Sequence, residues 1–260
     1  MLKDSIKTER RDQVLQVTLD GPKANAIDLA TSRRLGETFK AFRDDPELRV
    51  AIVTGSGKFF CAGWDLKAAA DGDPVDGDYG VGGFGGIQEL PGLNKPLIAA
   101  VNGMAVGGGF ELALSCDLIL ASTNAAFALP EINAGTLADA ATIKLPKRMP
   151  YHVAMDLLLT GRWMDPEEAG RWGVVNEVLE PENLLDRAWE LALKLASGPP
   201  LVFAAIKEVV REAETLSAQD ALSRVGKRQI PSVDRLYDSE DQLEGAKAFA
   251  EKRDPVWKGR

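Results

Sequence analysis

The sequence predicts an α/β fold in which buried parallel strands alternate with helices. Three short apolar runs, at residues 50–54, 97–101 and 118–120, have the pattern of strands that are buried on both faces. Apolar residues at helical spacing between Leu29 and Phe42 predict a helix before the first of these runs. Residues 5–19 are typical of a hairpin, because their second half alternates apolar and polar residues. Together these patterns favour a parallel sheet with helical connections.

Helical patterns predominate beyond residue 150. Only residues 174–178 are typical of a strand there, whereas residues 184–195, 201–214 and 218–225 have the spacing of amphipathic helices. We therefore expect a core formed by residues 1–199 and a helical C-terminal region formed by residues 200–260.

A stretch rich in glycine and aspartate occupies residues 71–86 and is predicted to be a mobile surface loop. Gly80, Gly82 and Gly85 match the glycine spacing of dinucleotide-binding turns. That interpretation fails on context, because no strand precedes the match and no ribose-binding acid follows about 20 residues later.

Composition excludes several classes of function. With 31 Lys and Arg residues against 39 Asp and Glu residues, the net charge of −8 argues against binding to nucleic acid or an anionic membrane. His152 is the only histidine, so we expect no metal site and interpret this residue as structural. Cys61 and Cys116 form no CxxC pair, and no apolar run is long enough for a membrane helix, so we expect a cytoplasmic location.

A glycine-rich turn is the most informative segment. The apolar run that ends at Val101 leads into Gly107-Gly108-Gly109 and then into an apolar helix. Backbone N–H groups at such a helix start can stabilise a developing negative charge, although a tight turn that needs small residues would have the same pattern. Glu111 lies in the first turn of this helix, either as a favourable N-terminal charge or as a carboxylate whose pKa burial raises for proton transfer.

A second glutamate, Glu131, directly follows an apolar stretch and Pro130. Two carboxylates in apolar surroundings beside a donor-rich turn suit the addition of water to an activated double bond, because one removes a proton and the other supplies one. Cys61, in a further turn at residues 59–67, is more typical of a small buried residue than of a nucleophile.

Three segments resemble the enoyl-CoA hydratase/isomerase (crotonase) superfamily in order and spacing: FFCAGWDLK, AVNGMAVGGGFELALSCDLILA and FALPE. The resemblance spans almost the whole chain. It implies a crotonase-like spiral of ββα units with a helical C-terminal trimerisation region, assembled as a homotrimer or a homohexamer. It also implies an acyl-CoA substrate, with coenzyme A entering as part of the thioester and no permanently bound cofactor.

The resemblance also implies roles for individual residues. The thioester carbonyl would lie between the backbone N–H groups of Trp64 and Gly108, and Glu111 and Glu131 match the two catalytic glutamates of hydratases. The presence of both glutamates favours hydration or dehydration over isomerisation of the double bond. The positions that match the CoA-binding pattern are Lys23, Ala24, Ala26, Ala62, Leu66 and Lys67, together with Phe249 and Lys252, which would reach the CoA of a neighbouring subunit.

Residues 135–146 depart from the family pattern. Most relatives have Gly-x-x-Pro-x-x-Gly-Gly here, whereas this chain is about one residue shorter, lacks that proline and has Ala-Ala or Ala-Thr in place of the paired glycines. A Cβ at these positions is expected to crowd the water site beside Glu131, and the shorter segment is expected to re-aim Glu131. Two alternatives therefore stay open: an isomerase or another acyl-CoA enzyme that uses one carboxylate, and a non-catalytic acyl-CoA binder.

The segments PKANAID and FAEKRDPVWKGR resemble members of the superfamily that act on carnitine-type thioesters. Such substrates carry a trimethylammonium group, to which the indole face of Trp64 could bind. Asp65, Asp139 and the acids of residues 71–79 could add negative charge near the acyl end, although solvated surface acids have the same pattern.

Overall fold

The computed structural model describes residues 5–260, except for the side chain of Lys23. The strands are β1 Ile6–Arg11, β2 Val14–Leu19, β3 Val50–Gly55, β4 Phe59–Cys61, β5 Leu97–Val101, β6 Met104–Val106, β7 Leu118–Ser122, β8 Ala126–Ala128 and β9 Glu177–Leu179. The helices are α1 Pro22–Asn25, α2 Leu29–Asp44, α3 Leu66–Ala70, α4 Gly108–Leu114, α5 Glu131–Ala134, α6 Asp139–Arg148, α7 Tyr151–Thr160, α8 Pro166–Arg171, α9 Pro181–Ala196, α10 Pro200–Ala213, α11 Ala218–Gly226, α12 Pro231–Tyr237 and α13 Glu240–Glu251.

A large sheet has the strand order β1-β2-β3-β5-β7-β9. The antiparallel pair β1–β2 is the predicted hairpin, and every other neighbouring pair in this sheet is parallel. All five residues of β5 are buried, as are the first five of β3, because helices and the second sheet cover these central strands. The predicted parallel α/β sheet is thereby confirmed.

A small parallel sheet has the order β4-β6-β8. Each of three successive chain segments places its first strand in the large sheet and its second in the small sheet, in the pairs β3/β4, β5/β6 and β7/β8. Helices connect one pair to the next, so the chain advances as a spiral of ββα units. This arrangement confirms the expected fold.

The small sheet positions three of the predicted site residues. Trp64 follows the carboxyl end of β4, Gly108 that of β6, and Glu131 that of β8. The carboxyl ends of parallel strands meet at one edge of a sheet, which is where ligands bind in open α/β folds. Because β6 lies between β4 and β8, Gly108 stands between the segments that carry Trp64 and Glu131.

Two local predictions are wrong. The strand expected at residues 174–178 begins only at Glu177, because the N–H groups of Val174 and Val175 bind the carbonyl of Ala169 at the end of α8. The second half of the expected surface loop, residues 82–86, is largely buried and forms a 3-10 turn. Ser32 holds this turn by donating to the Gly83 carbonyl and accepting from the Gly85 N–H, both at 3.0 Å.

The C-terminal third is helical, as predicted. Helix α9 packs across one face of the large sheet, with Leu184 and Trp189 against strand residues such as Ile52 and Ile98. Helices α10 to α12 share a separate small apolar cluster around Ala205, Ile230 and Val233. A boundary between elements thus falls near residue 199, while the division into core and oligomerisation region stays a prediction.

No helix within residues 5–260 is long and apolar enough to cross a membrane. In the same part of the chain no three His, Cys, Asp or Glu side chains are grouped so that they could bind a metal ion.

Candidate active site

The backbone N–H of Trp64 lies just beyond the carboxyl end of β4 in the small sheet. A parallel bridge joins this segment to Ile27, with the Ile27 N–H donating to Gly63 at 2.8 Å and the Asp65 N–H donating to Ile27 at 3.0 Å. Successive N–H groups of an extended chain point in opposite directions, so the Trp64 N–H points away from this bridge. Among residues 5–260 it has no hydrogen-bond acceptor.

A second free donor is the N–H of Gly108 at the start of α4. The first N–H groups of a helix have no acceptor within it, and no other acceptor in the described chain binds this one. Gly63, with a φ of +80°, brings the Trp64 segment against it, because a Cβ at Gly63 would lie 2.8 Å from the Gly108 nitrogen. Two adjacent free N–H groups can stabilise one oxyanion.

Glu111 is a buried carboxylate in the first turn of α4, with 7% of its surface exposed. Burial raises its pKa, and the charge of Asp139 raises it further. A hydrogen bond of 2.8 Å from the Ala141 N–H to Oε1, together with the charge of Lys144, opposes this rise. The pKa of Glu111 is raised overall, although the hydrogen bond and the cation offset part of the effect of burial.

Glu131 begins α5 and faces the glycine turn. Its Oε1 would lie 2.6 Å from a Cβ at Gly107, whose φ of +55° and closeness to the carboxylate both require glycine. Its Oε2 is buried and has no hydrogen-bond partner. Burial, with a contribution from the charge of Glu111, raises the pKa of Glu131 to about 7. The two carboxylates thus interact, and both burial and the charge of Glu111 favour the protonated form of Glu131.

Ala141 supplies a functional group that the sequence prediction missed. Helix α6 begins at Asp139, so the alanines that replace the family's glycines lie in its first turn. The methyl group of Ala141 is fully buried in the core, while its N–H binds Glu111. A backbone N–H is available from any residue except proline, so the sequence carries no signal for this role.

Lys144 was also missed. Its Nζ donates to Ser115 Oγ at 2.6 Å, and this hydroxyl donates to the backbone carbonyl of Glu111 at 2.8 Å. Burial lowers the pKa of Lys144 to about 8. The three-residue spacing from Ala141 places Lys144 on the same helix face, which is a signal that could have found it.

The buried part of the glycine-rich loop adds an aromatic wall. A Cβ at Gly108 would lie only 2.4 Å from Cε1 of Phe84, so this ring lies directly on the glycine. The ring of Tyr79 packs edge-on against Phe84, with 5.4 Å between centroids. Sequence analysis had assigned both residues to a surface loop.

Most of the predicted CoA-binding positions lie together. The Ala62 N–H donates to the Ala24 carbonyl at 3.0 Å, which joins the loop after β4 to α1. Ala26 follows α1, whereas Leu66 and Lys67 lie in the first turn of α3, where both are exposed. Lys23 belongs to α1, but its side chain lies outside the described part of the chain.

Phe249 and Lys252 do not join this group within one chain. Both lie at the end of α13, which packs on α12 and the C-terminal tail, and 88% of Phe249 is exposed. Their predicted contact with a neighbouring subunit stays a prediction. Cys61 is no nucleophile, because it is buried against the Asn25 carbonyl and burial raises its pKa to about 12.

The acids expected near the acyl end fall into two groups. Asp65 caps α3 by accepting from the Lys67 N–H at 2.9 Å, so its carboxylate has a structural task. Asp139, by contrast, is exposed at the start of α6, and its charge acts on both glutamates. The indole N–H of Trp64 is buried without a partner.

Comparisons with known proteins identify the family that the chain resembles. Residues 9–260 match the family model described as enoyl-CoA hydratase/isomerase. The carnitinyl-CoA dehydratase of Proteus mirabilis is 51% identical over 261 residues, covering 100% of both chains. That of Salmonella arizonae is 52% identical over 99% of this chain and 100% of its own.

Solved structures give the same result. An enoyl-CoA hydratase from Mycobacterium tuberculosis superposes with a TM-score of 0.89 at 41% identity, covering 98% of this chain and 99% of its own. An enoyl-CoA hydratase subunit from Geobacillus kaustophilus superposes with a TM-score of 0.88 at 37% identity over 100% of both chains. The chain therefore belongs to the enoyl-CoA hydratase/isomerase family.

Proposed function

We propose that this protein is a hydro-lyase that adds water to, or removes it from, the 2,3-bond of an acyl-CoA thioester. The observation that carries the proposal is the pair of interacting carboxylates, Glu111 and Glu131, beside two unpaired backbone N–H groups. Relatives named carnitinyl-CoA dehydratase support crotonobetainyl-CoA and carnitinyl-CoA as the substrate pair.

In hydration, the thioester oxygen accepts hydrogen bonds from the N–H groups of Trp64 and Gly108. These bonds draw electrons away from the double bond and stabilise the enolate that forms as water attacks. The water oxygen bonds to Cβ while one of its protons passes to a carboxylate. The other carboxyl group then transfers its proton to Cα as the enolate collapses, so that one water molecule is added in all.

We assign the base role to Glu111 and the acid role to Glu131. Glu111 accepts a hydrogen bond from Ala141 and lies near Lys144, and both interactions favour its charged form. Glu131 has an unpartnered Oε2 and a pKa raised to about 7, which favours a proton on this residue. Dehydration uses the same pair with the proton starting on Glu111.

CoA binding is assigned to the group of residues in and after α1, after β4 and at the start of α3, namely Ala24, Ala26, Ala62, Leu66 and Lys67. Exposed Lys67 supplies positive charge for CoA phosphates on a chain whose net charge is −8. Phe249 and Lys252 complete the site from a neighbouring subunit, so the protein works as a homotrimer or a homohexamer. The 88% exposure of Phe249 supports this assembly.

The test is hydration of crotonyl-CoA and crotonobetainyl-CoA, followed by loss of the enoyl-thioester absorbance. Glu111→Gln and Glu131→Gln are each expected to lower kcat by about 10²–10⁴-fold, because each loses one proton transfer. Glu167→Gln, an exposed glutamate in α8, is the matched control and should keep full activity.

Full activity in both site variants would refute the two-carboxylate mechanism. Turnover of a 3-enoyl-CoA that needs only Glu131 would instead identify an isomerase. Tight acyl-CoA binding in calorimetry without turnover of any thioester would identify a binding protein.

A further inference from the structure

A cavity of about 530 Å³ lies where the C-terminal helices meet the core. Its walls come from the end of α2, the segments before β3 and β5, the starts of α10 and α12, and the C-terminal tail. Among the described residues, its lining includes none of those assigned above to proton transfer, to the thioester oxygen or to CoA. Its volume is in the range of small-molecule binding sites. We therefore asked which ligand its side chains suit.

Basic side chains predominate in the lining of this cavity. Both acids of the lining are already engaged, because Asp44 pairs with Arg43 at 2.7 Å and Glu208 accepts from the Ser232 N–H at 2.9 Å. The excess of positive charge contrasts with the net charge of −8 on the whole chain. The basic residues of the lining are Arg43, Arg49, Lys95, Arg235 and Lys258.

Three of these cations, Arg49, Lys95 and Arg235, have no carboxylate partner among the described residues. Each donates instead to backbone carbonyls, over distances of 2.6–3.1 Å. Carbonyl oxygens orient a cation but carry no net charge, so the positive charge is not neutralised. Burial lowers the pKa of Lys95 to about 8, although the charges of Asp45 and Asp44 oppose this effect. An anion in the cavity would offset the cost of burying these cations.

Two further features of the lining favour an anion. The hydroxyl oxygen of Ser232 is buried and has no hydrogen-bond partner, so its proton is available to a ligand. Pro200 and Leu201, which begin α10, also line the cavity. The start of a helix of this length favours negative charge, because its first N–H groups have no acceptor within the helix.

The rest of the lining is largely apolar. Leu48 lies between α2 and β3, Leu195 lies near the end of α9, and Phe203 lies in the first turn of α10. A hydrated inorganic ion would leave these side chains without a partner. A ligand that combines an anionic group with an apolar body suits both parts of the lining.

We propose that this cavity binds a small organic oxyanion, the chemistry that phosphate esters and carboxylates share. The anionic group is held by Arg49, Lys95 and Arg235 and accepts a hydrogen bond from the Ser232 hydroxyl. The apolar body contacts the leucines and Phe203. The proposal does not depend on the hydro-lyase function, because it uses none of the residues assigned to that reaction.

Binding at this cavity connects the core to the C-terminal region. Arg49 and Lys95 precede strands of the large sheet, whereas Arg235 and Ser232 belong to α12. Arg49 and Arg235 also hold the tail, through the carbonyls of Trp257 and Gly259. A ligand that contacts both regions stabilises the folded chain by mass action.

The test titrates the full chain at neutral pH with phenyl phosphate and with benzoate, which present one ring on the two kinds of anion, by isothermal titration calorimetry. Inorganic phosphate and phenol, titrated in parallel, separate the anionic group from the apolar body. We expect one saturable site per chain for at least one of the two ring anions. That ligand should bind at least about threefold more tightly than inorganic phosphate, and phenol should not bind measurably. The preferred ring anion identifies the class of oxyanion, and the temperature of unfolding should rise with its concentration.

Two variants locate the site. Arg235→Gln removes an exposed cation, and Ser232→Ala removes the hydroxyl but keeps the N–H that binds Glu208, so both variants should fold. Each is expected to weaken binding by about five- to tenfold, whereas Arg235→Lys should stay within about threefold of wild type. Arg171→Gln, which removes an exposed cation at the end of α8, is the matched charge control and should bind as wild type does.

Lys67→Gln separates this cavity from the residues assigned to CoA and should also bind as wild type does. Loss of binding in Lys67→Gln would place the anion at the CoA phosphates and overturn the proposal. An equal loss in Arg171→Gln would reduce the effect to general charge and would overturn it too. So would the absence of saturable binding of both ring anions up to about 10 mM, or binding that survives both Arg235→Gln and Ser232→Ala.

Discussion

Glu111 at the start of α4 and Glu131 at the start of α5 lie close enough to interact, but their surroundings differ. Around Glu111 the chain supplies a hydrogen bond from Ala141 and a nearby cation, Lys144. Around Glu131 it supplies burial without a partner for Oε2. The difference teaches that burial raises the pKa of two identical side chains, while their neighbours decide how much of that rise is offset.

The largest expected effect is on the rate of proton exchange at Cα of the substrate, which should differ between variants of the two glutamates. Butyryl-CoA has no hydroxyl group to lose, so an enzyme can only exchange its Cα proton with solvent. Because Glu131 is assigned to Cα, Glu131→Gln should slow exchange in D2O by about 10²–10⁴-fold, while Glu111→Gln should stay within about tenfold of wild type. Deuterium incorporation measured by mass spectrometry is the readout.

The reverse pattern in that experiment would exchange the two roles. Equal loss in both variants would mean that the pair acts on Cα as a unit, and the comparison drawn above would then describe protonation but not chemistry.

An effect of intermediate size is expected in how the free energy of unfolding depends on pH. The pKa of Glu131 rises from 4.5 to about 7 on folding, so the folded state binds this proton more tightly than the unfolded chain does. The stabilisation is complete below pH 4.5 and is lost as pH rises through about 7. Glu131→Gln, which resembles the protonated side chain, should therefore match wild type at low pH. At pH 8 it should be more stable by roughly 1–3 kcal/mol.

Thermal unfolding at fixed protein concentration, from pH 4.5 to 8, measures this difference. Glu167→Gln serves again as the control and should show no such trend, since its side chain is exposed. A difference between Glu131→Gln and wild type that does not grow with pH would show that burial does not hold a proton on Glu131.

The smallest effect concerns Ala141. Ala141→Gly removes the methyl group but keeps the N–H that binds Glu111. We expect kcat/KM within about threefold of wild type and a stability loss of about 1 kcal/mol, from the lost methyl contacts and the weaker helix former. A large gain in kcat would show instead that the methyl group crowds the water site. Steady-state kinetics and chemical denaturation together decide between these results.

Patterns local to an element were predictable from sequence. The buried runs at β3, β5 and β7, the hairpin and helices α9 to α11 follow directly from periodicity. The start of β9 could not be predicted in this way. Val174 either pairs with a strand or donates its N–H to the Ala169 carbonyl at the end of α8, and the structure has the second arrangement. Both arrangements bury the valine, so its apolar character cannot separate them.

The candidate site divides in the same way. Glu111 and Glu131 were predictable because their side chains are carboxylates in apolar surroundings. The glycine turn was predictable because consecutive residues without a side chain are recognisable in the sequence. The roles of Phe84 and the Ala141 N–H were not, since each depends on a contact across the fold. The glycine and aspartate residues around Phe84 are typical of an exposed loop. The hydrogen bonds of Ser32 to Gly83 and Gly85 hold that segment against the core.

The small sheet has a consequence for how this enzyme family can vary. Trp64, Gly108 and Glu131 each follow one of its three strands within two or three residues, so strand pairing fixes the spacing of the segments that carry them. Residues 135–138 come after Glu131, so their length does not enter the strand pairing that precedes it. Segments beyond the strand ends are therefore free to change length and composition to suit a new acyl group, while the reacting atoms keep their places.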